Sequence, residues 1–172
     1  MALVVLLRGV NVGGHRTFRP AVLARDFAHL HAVNIGAAGT FVFRKRVPQA
    51  QLRAELTRRL PFETEIMIVG GREIASLVAR NPFATQPVRR DIVHFVSVLA
   101  RRPRSAASLP MCLPAGGPWE LQVLGREDRL VFGMYRRHMK AIGHLGSLDR
   151  LFGVPVTTRS WSTISAVARA LE

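Results

Sequence analysis

Residues 2–7, Ala-Leu-Val-Val-Leu-Leu, are apolar at every position, so both alternating faces of the strand they form have to be covered. That requirement puts the first strand in the middle of a sheet and calls for chain to pack on each side of it. The run stops at Arg8, far short of the roughly 20 residues a membrane span needs. A secretory signal would carry its charge ahead of the apolar stretch and a cleavage site after it, whereas here Arg8 and an Asn-Gly-rich loop follow. Cys112 is the one cysteine and cannot close an internal disulfide, and 172 residues are enough to bury a core without one. A cytoplasmic protein with no membrane partner is expected.

The pattern downstream alternates between the two periods of regular structure. Arg8 to Gly14 reads as a turn. Pro20 suits the first turn of a helix over about 20–31, with Val22, Leu23, Phe27 and Leu30 as its apolar stripe. Val33–Ile35 and Thr40–Arg44 read as a strand pair across the small residues Gly36 to Gly39. Pro48 then opens a helix with Leu52, Leu56 and Leu60 on one face, and Glu65–Val69 reads as a strand ending at Gly70-Gly71. The resulting order, β-α-β-β-α-β, is that of the ferredoxin-like split βαβ unit. A short helix over 72–80 and the breaker Asn81-Pro82 close it. The expected organisation is α+β: a ferredoxin-like lobe over 1–82 and a second small α+β lobe over 83–172.

In that second lobe Ile92–Leu99 reads as a strand and 103–118, rich in Pro, Ser, Ala and Gly, as loop with room for one helical turn. Trp119–Leu124 and Arg129–Tyr135 read as a hairpin turning at Arg126-Glu127-Asp128. A helix near 140–152 and a short extended piece follow. Ser160 or Ser162 can cap the last helix, whose stripe is Ile164, Val167, Ala168 and Leu171.

The charge is unusual. There are 25 Lys+Arg against 11 Asp+Glu, a formal +14, and Lys45 and Lys140 are the only lysines. Residues 1–86 hold 12 basic and 5 acidic side chains and 87–172 hold 13 and 6, so the excess is spread evenly and not gathered in an arm. Such a field draws polyanions by counterion release. A genome that favours Arg and Ala codons explains the Arg:Lys ratio equally well, though not the shortage of acids.

Metal and cofactor sites are not indicated. His29 and His31 diverge on a helix, His138 and His144 lack a third ligand, and Cys112 stands alone. There is no G-x-S-x-G elbow, and Asp26, Glu55 and Glu73 fall on helix faces away from the apolar stripes, where solvated roles are the default. Two segments carry the remaining possibilities. In the first, Arg8 to Arg16, the turn amides of Gly13 and Gly14 with Arg8, Asn11 and Arg16 around them can hold an anion, although the spacing matches neither the P-loop nor the dinucleotide pattern and a plain tight turn explains it too. In the second, Thr157, Thr158, Arg159, Trp161 and Thr163 precede or open the last helix, where hydroxyls, a guanidinium and an indole suit negative charge and stacking. An N-cap and a tryptophan anchoring the helix to the core account for that segment somewhat better.

These segments carry a resemblance. Arg-Gly-Val-Asn-Val-Gly-Gly at 8–14, Asn-Pro-Phe at 81–83 and Gly-Val-Pro-Val-Thr-Thr-Arg-Ser-Trp-Ser-Thr-Ile at 153–164 resemble the hallmarks of the bacterial domain of unknown function 1697 family, typically R-G-I-N-V-G-G and G-V-P-A-T-T-R-N-W-N-T-V. The resemblance implies a two-lobed α+β fold in a cytosolic bacterial protein with no established activity. The chain departs from the family pattern in three places. Ala37-Ala38-Gly39-Thr40 stands where Q-S-G-N is usual, Ala141-Ile142 where Ser-Lys is frequent, and Ser160 and Ser162 flank Trp161 where asparagines are usual.

Three readings follow. The leading one is a binding protein for an anionic ligand, a nucleic acid or a phosphorylated metabolite, with the two segments meeting across a cleft and Arg8 and Arg159 on the same side of it. A narrower version has Phe41 and Phe43 alternating on an RNA-stacking sheet, and it requires those rings to be open to solvent. The alternatives are a small-substrate enzyme using Asn11, His15, Thr158 and Thr163, with no reaction specified, and a structural module without ligand. Charge and patterning set no oligomeric state.

Overall fold

The first strand, β1 (Leu3–Leu7), is buried at all five positions, as its unbroken apolar run demands. The computed structural model of the protein describes residues 1–104 and 107–172. β1 pairs antiparallel with β3 (Thr40–Phe43) on one side and β4 (Ile66–Gly70) on the other, and β2 (Ala32–Ile35) pairs with β3, giving the order β2-β3-β1-β4. Register opposes Val5 to Phe41 and to Ile68, so the odd positions of β1 share a face with both rings of β3.

Onto that face pack α1 (Pro20–Asp26), the 3-10 turn Ala28–Leu30 and α2 (Gln49–Arg59), which contribute Leu23, Leu30, Leu52 and Leu56, with Phe27 between α1 and the turn. The helix expected over 20–31 is thus broken at Phe27, whose φ of −105° leaves helical geometry. Phe41 and Phe43 are each 1% exposed under these helices, with Phe27 edge-on to Phe43 at 5.5 Å. The RNA-stacking version of the binding reading is therefore corrected: no ring on β3 is available to a base, because the aromatic alternation marks a buried face.

The opposite face, Val4, Leu6, Val42, Met67 and Val69, is fully buried too. α3 (Gly71–Arg80) starts straight from β4, with Gly71 N donating to Ala2 O at 2.9 Å. A Cβ on Gly71 would lie 2.7 Å from Leu171 Cδ2, and Arg44 Nε donates to Ala170 O at 2.7 Å. These contacts bring in α6 (Trp161–Leu171), so that Ser162–Glu172 join Met1–Arg80 in one compact unit while Asn81–Trp161 form the other.

The second unit is a five-stranded antiparallel sheet. β5 (Ile92–Leu99), β6 (Met111–Leu113), β7 (Leu121–Glu127), β8 (Leu130–Arg136) and β9 (Val156–Ser160) lie in the order β6-β7-β8-β5-β9. β6 lies in the segment read as loop; residues 105 and 106 of that segment lie outside the described residues. The hairpin turns at Asp128-Arg129 and not at residues 126–128, since β7 runs on to Glu127 and Asp128 takes the left-handed conformation at φ 51°. The helix expected over 140–152 is two, α4 (Met139–Gly146) and α5 (Leu148–Phe152), interrupted at Ser147, whose Oγ donates to His144 O at 2.7 Å. Phe95, Leu99, Leu121, Val123 and Val131 build one core with Leu148 and Phe152 of α5. The protein is thus a mixed α+β chain with two antiparallel sheets.

Gly133 of β8 sits under the Phe95 ring, and a Cβ there would come within 2.1 Å of Gln122 O and 2.9 Å of Phe95 Cζ. Backbone cannot move aside as a flexible side chain can. Gly133→Ala is expected to destabilise the fold by about 3 kcal/mol, the upper range of overpacking costs. A urea unfolding midpoint unchanged from wild type would contradict this packing.

Candidate functional site

Past Leu7 the chain leaves β1 in a loop made of left-handed residues. Gly9, Asn11, Gly13, Gly14 and Arg16 all have positive φ. Val12 and His15 bridge around Gly13-Gly14, with His15 N donating to Val12 O at 3.0 Å. This is a two-residue reversal with both central residues at φ > 0, which glycine accepts without strain. A Cβ on either glycine would meet nothing within 4 Å, so they serve the turn and not a close approach by another protein group.

Asn11 spends both ends of its amide on the loop. Its Nδ2 donates to Ala37 O at 2.8 Å and its Oδ1 accepts from Phe18 N at 3.0 Å. On Ala37 it is the backbone carbonyl that is used. The β2–β3 turn fits directly against the start of the loop: a Cβ on Gly39 would lie 2.7 Å from Val10 Cγ2 and 2.9 Å from Leu7 Cβ.

The loop forms one wall of a cleft of about 940 Å³ whose lining includes Arg8, Arg16, Thr57, Phe62, Glu63 and Glu65. Arg8 is fastened through its backbone, N donating to Glu65 O at 3.1 Å and O accepting from Thr64 Oγ1. Arg16 is exposed, and its Nη1 lies 3.7 Å from where a Gly9 Cβ would sit. Among the described residues its guanidinium makes no side-chain hydrogen bond or ion pair. Phe62 stands edge-on to Phe18 with ring centroids 5.7 Å apart. Arg53 Nη1 donates to Ile66 O at 2.6 Å and steadies the far wall from α2. Of the first segment's candidates, then, Arg8 and Arg16 reach this cleft, while Asn11, Gly13 and Gly14 shape the loop that presents Arg16. Thr57, Phe62, Glu63 and Glu65 escaped the sequence reading because they come from α2 and the connection after it, brought alongside Arg8 by the pairing of Leu7 with Ile66.

In the second segment, Thr157–Ser160 belong to β9, the short extended piece expected ahead of the last helix, and Trp161–Thr163 open α6. In β9, Ser97 opposes Thr158, and their hydroxyls are 2.6 Å apart on one face of the sheet. Thr157 and Arg159 take the other face, where Arg159 Nη1 donates to Thr157 Oγ1 and Thr158 O, both at 2.9 Å. Arg159 is 8% exposed, and burial pushes its guanidinium down to about 10, still far enough above neutrality for it to carry its charge. Trp161 meets Phe83 of the Asn-Pro-Phe motif at 5.0 Å, and Phe83 stacks on His94 at 4.5 Å, so the indole anchors an aromatic cluster with Ile92 and Met134. Thr163 lies half-buried in the first turn of α6.

Asp91 joins the turn before β5 to β8: it pairs with Arg89 at 2.9 Å and with Arg136 at 3.0 Å, and Arg136 lies 4.0 Å over the Trp119 ring. Desolvation works to raise the Asp91 carboxyl, but its backbone hydrogen bond and the two guanidinium groups outweigh it and hold it below the usual carboxylate value. Among the described residues no three His, Cys, Asp or Glu side chains gather as metal ligands, and no helix is long and apolar enough to cross a membrane.

Fold and site together define a two-unit α+β protein with a charged cleft in its first unit. The chain belongs to the family described as Protein of unknown function (DUF1697), whose model matches residues 1–127. No curated protein matches the chain. Among solved structures, the conserved bacterial protein SP0830 from Streptococcus pneumoniae is similar over 99% of this chain and 98% of that one, with a TM-score of 0.62 and 14% identity, a likeness of fold.

Removing the Asn11 amide deletes two hydrogen bonds worth about 1 kcal/mol each and leaves alanine in a left-handed conformation that costs roughly another 1 kcal/mol. Asn11→Ala is expected to lower stability by about 3 kcal/mol and Asn11→Gly by about 2 kcal/mol, as measured by chemical denaturation. Equal stability of Asn11→Ala and wild type would remove Asn11 from its role as the clamp of the loop.

Proposed function

We propose that the protein binds a small anionic ligand, a phosphorylated or carboxylated metabolite, in the cleft of the first unit, with Arg8 and Arg16 as the groups that receive its negative charge. The observation that carries this reading is Arg16: a guanidinium without a side-chain partner among the described residues, held over a cleft by a loop that Asn11 clamps. Guanidinium offers a planar fork of donors that matches a phosphate or carboxylate edge. Gly13 and Gly14 belong to the site through the turn that places Arg16. We also read residues 1–82 as ferredoxin-like; the second lobe expected over 83–172 gives up its last helix, since Ser162–Glu172 pack with the first unit. Supporting the ferredoxin-like reading are the β-α-β-β-α-β order, the strand order β2-β3-β1-β4 and the three antiparallel pairings. No reaction is assigned, since Asn11 is engaged by the loop and Thr158 pairs with Ser97.

A second reading, nucleic-acid binding, has its own observation. At the start of α2 a pocket of about 540 Å³ has Arg46 and Arg72 as its charged side chains, next to the run Arg44-Lys45-Arg46. Both arginines are exposed, and neither makes an ion pair among the described residues. A surface of one sign tracks a phosphate backbone better than the mixed lining of the larger cleft does.

Each reading has its own experiment. Titrating inorganic phosphate into the protein, Arg16→Ala is expected to weaken binding by roughly tenfold or more and Arg16→Lys to restore it only in part, because an ammonium lacks the fork. Unchanged affinity in Arg16→Ala would refute the metabolite reading. For a single-stranded oligonucleotide, Arg46→Ala and Arg72→Ala are each expected to reduce the slope of log affinity against log salt by about 1. An unaltered slope would leave the +14 charge as a diffuse field with no track.

A further inference from the structure

The larger cleft is not uniformly positive. Glu63 and Glu65 line it together with Arg8 and Arg16, so its formal side-chain charge is balanced. The two acids lie two residues apart just before β4, and both are exposed. Among the described residues neither makes a side-chain hydrogen bond or ion pair. Carboxylates are scarce in this chain, 11 acids against 25 basic residues, and two of them stand unengaged in the cleft that presents Arg16. Toward a purely anionic ligand they are a liability, since like charges on one small site repel. Toward a ligand that carries a cation beside its anion they are the complementary half of the site.

Resting on the anionic-ligand reading of the same cleft, we infer that its ligand is a small zwitterion, an aminoalkyl phosphate or an amino acid. Arg8 and Arg16 take the phosphate or carboxylate, and Glu63 and Glu65 take the ammonium. Leu60, Pro61 and Phe62 line the same cleft and supply apolar surface that suits the short hydrocarbon joining the ligand's charged ends. The ammonium brings up to three donors to carboxylates that are acceptors only, so each new bond is charge-assisted on both sides. A nucleic acid is disfavoured in this cleft for the same reason, since its repeating phosphates would have to pass both carboxylates.

The test compares two probes that differ by a single group, 2-aminoethyl phosphate and ethyl phosphate, in calorimetric titrations of the full chain. The zwitterion is expected to bind about tenfold more tightly than ethyl phosphate. The double variant Glu63→Gln, Glu65→Gln, which keeps shape and removes charge at exposed positions, is expected to abolish that preference while ethyl phosphate affinity rises. Equal binding of the two probes to wild type, or a preference that survives the double variant, overturns the zwitterion and leaves the anionic-ligand reading standing. If neither probe binds in the millimolar range, or Arg16→Ala leaves both affinities unchanged, the underlying reading and the inference fall together.

Discussion

Burial of β1 on both faces is the constraint from which the rest of the first unit follows. An apolar residue at each of its five positions means that neither side of the sheet can be left to water, and burying a leucine or valine side chain contributes about 1.5–3 kcal/mol. One side is closed by α1 and α2. The other is buried as well, and the unit's two remaining helices, α3 and α6, carry the fully buried Ile74, Leu77, Ile164 and Val167. Chain connectivity alone would leave residues 162–172 with the second unit. Leu171 against Gly71 and Ala170 O beneath Arg44 show why they return to the first.

The same strand positions the cleft. β1 is central, so its C-terminal end faces a turn on either side: the β2–β3 turn, pressed onto Leu7 and Val10 at Gly39, and the connection from α2 into β4, tied to Arg8 at Glu65 O. The loop after Leu7 therefore starts between two fixed points. Asn11 adds a third through Ala37 O, and only then does the chain turn at Gly13-Gly14 and deliver Arg16. Asn11 and Arg16, the loop's two non-glycine residues at positive φ, carry a conformational cost that its tethers have to offset, a pattern common where a side chain must be held in a set direction.

Much of the fold was legible from periodicity, because its strongest elements are those whose burial is one-sided or complete. β5 spans the residues its apolar run marks, and α2 carries its leucines at the expected spacing. Elements that owe their existence to partners were not legible. β6 has three residues and forms because Met111–Leu113 lie against β7. β9 is polar; its extended character shows in threonine's strand preference, but its pairing with the sheet edge beside β5 does not. For the site, Arg8 and Arg16 stand out in sequence beside glycines. Glu63 and Glu65 do not, since nothing local distinguishes them and only the pairing of β1 with β4 sets them opposite. Strand alternation, known only with the register, sends Thr158 to one face and Thr157 and Arg159 to the other.

The arginine excess has to be judged by what the guanidinium groups do. Several of them serve the fold by capping carbonyls that no strand or helix satisfies: Arg44 on Ala170 O, Arg53 on Ile66 O, Arg129 on Ala100 O and Arg137 on Arg90 O. Others lie on rings, Arg59 over Phe27 and Arg136 over Trp119. Lysine replaces such groups poorly, because a point charge on a flexible stem neither stacks as a plane nor reaches two acceptors with fixed geometry. A large part of the arginine content is thus structural, and composition by itself identifies no ligand. What separates Arg16 from these is its setting, not its type: it is raised on a loop built to hold it, it does not serve the fold through a side-chain bond among the described residues, and it shares a cleft with carboxylates equally unengaged. Side chains of both signs, Arg16 with Glu63 and Glu65, left unengaged around one cavity are the arrangement that an external partner of mixed charge would complete.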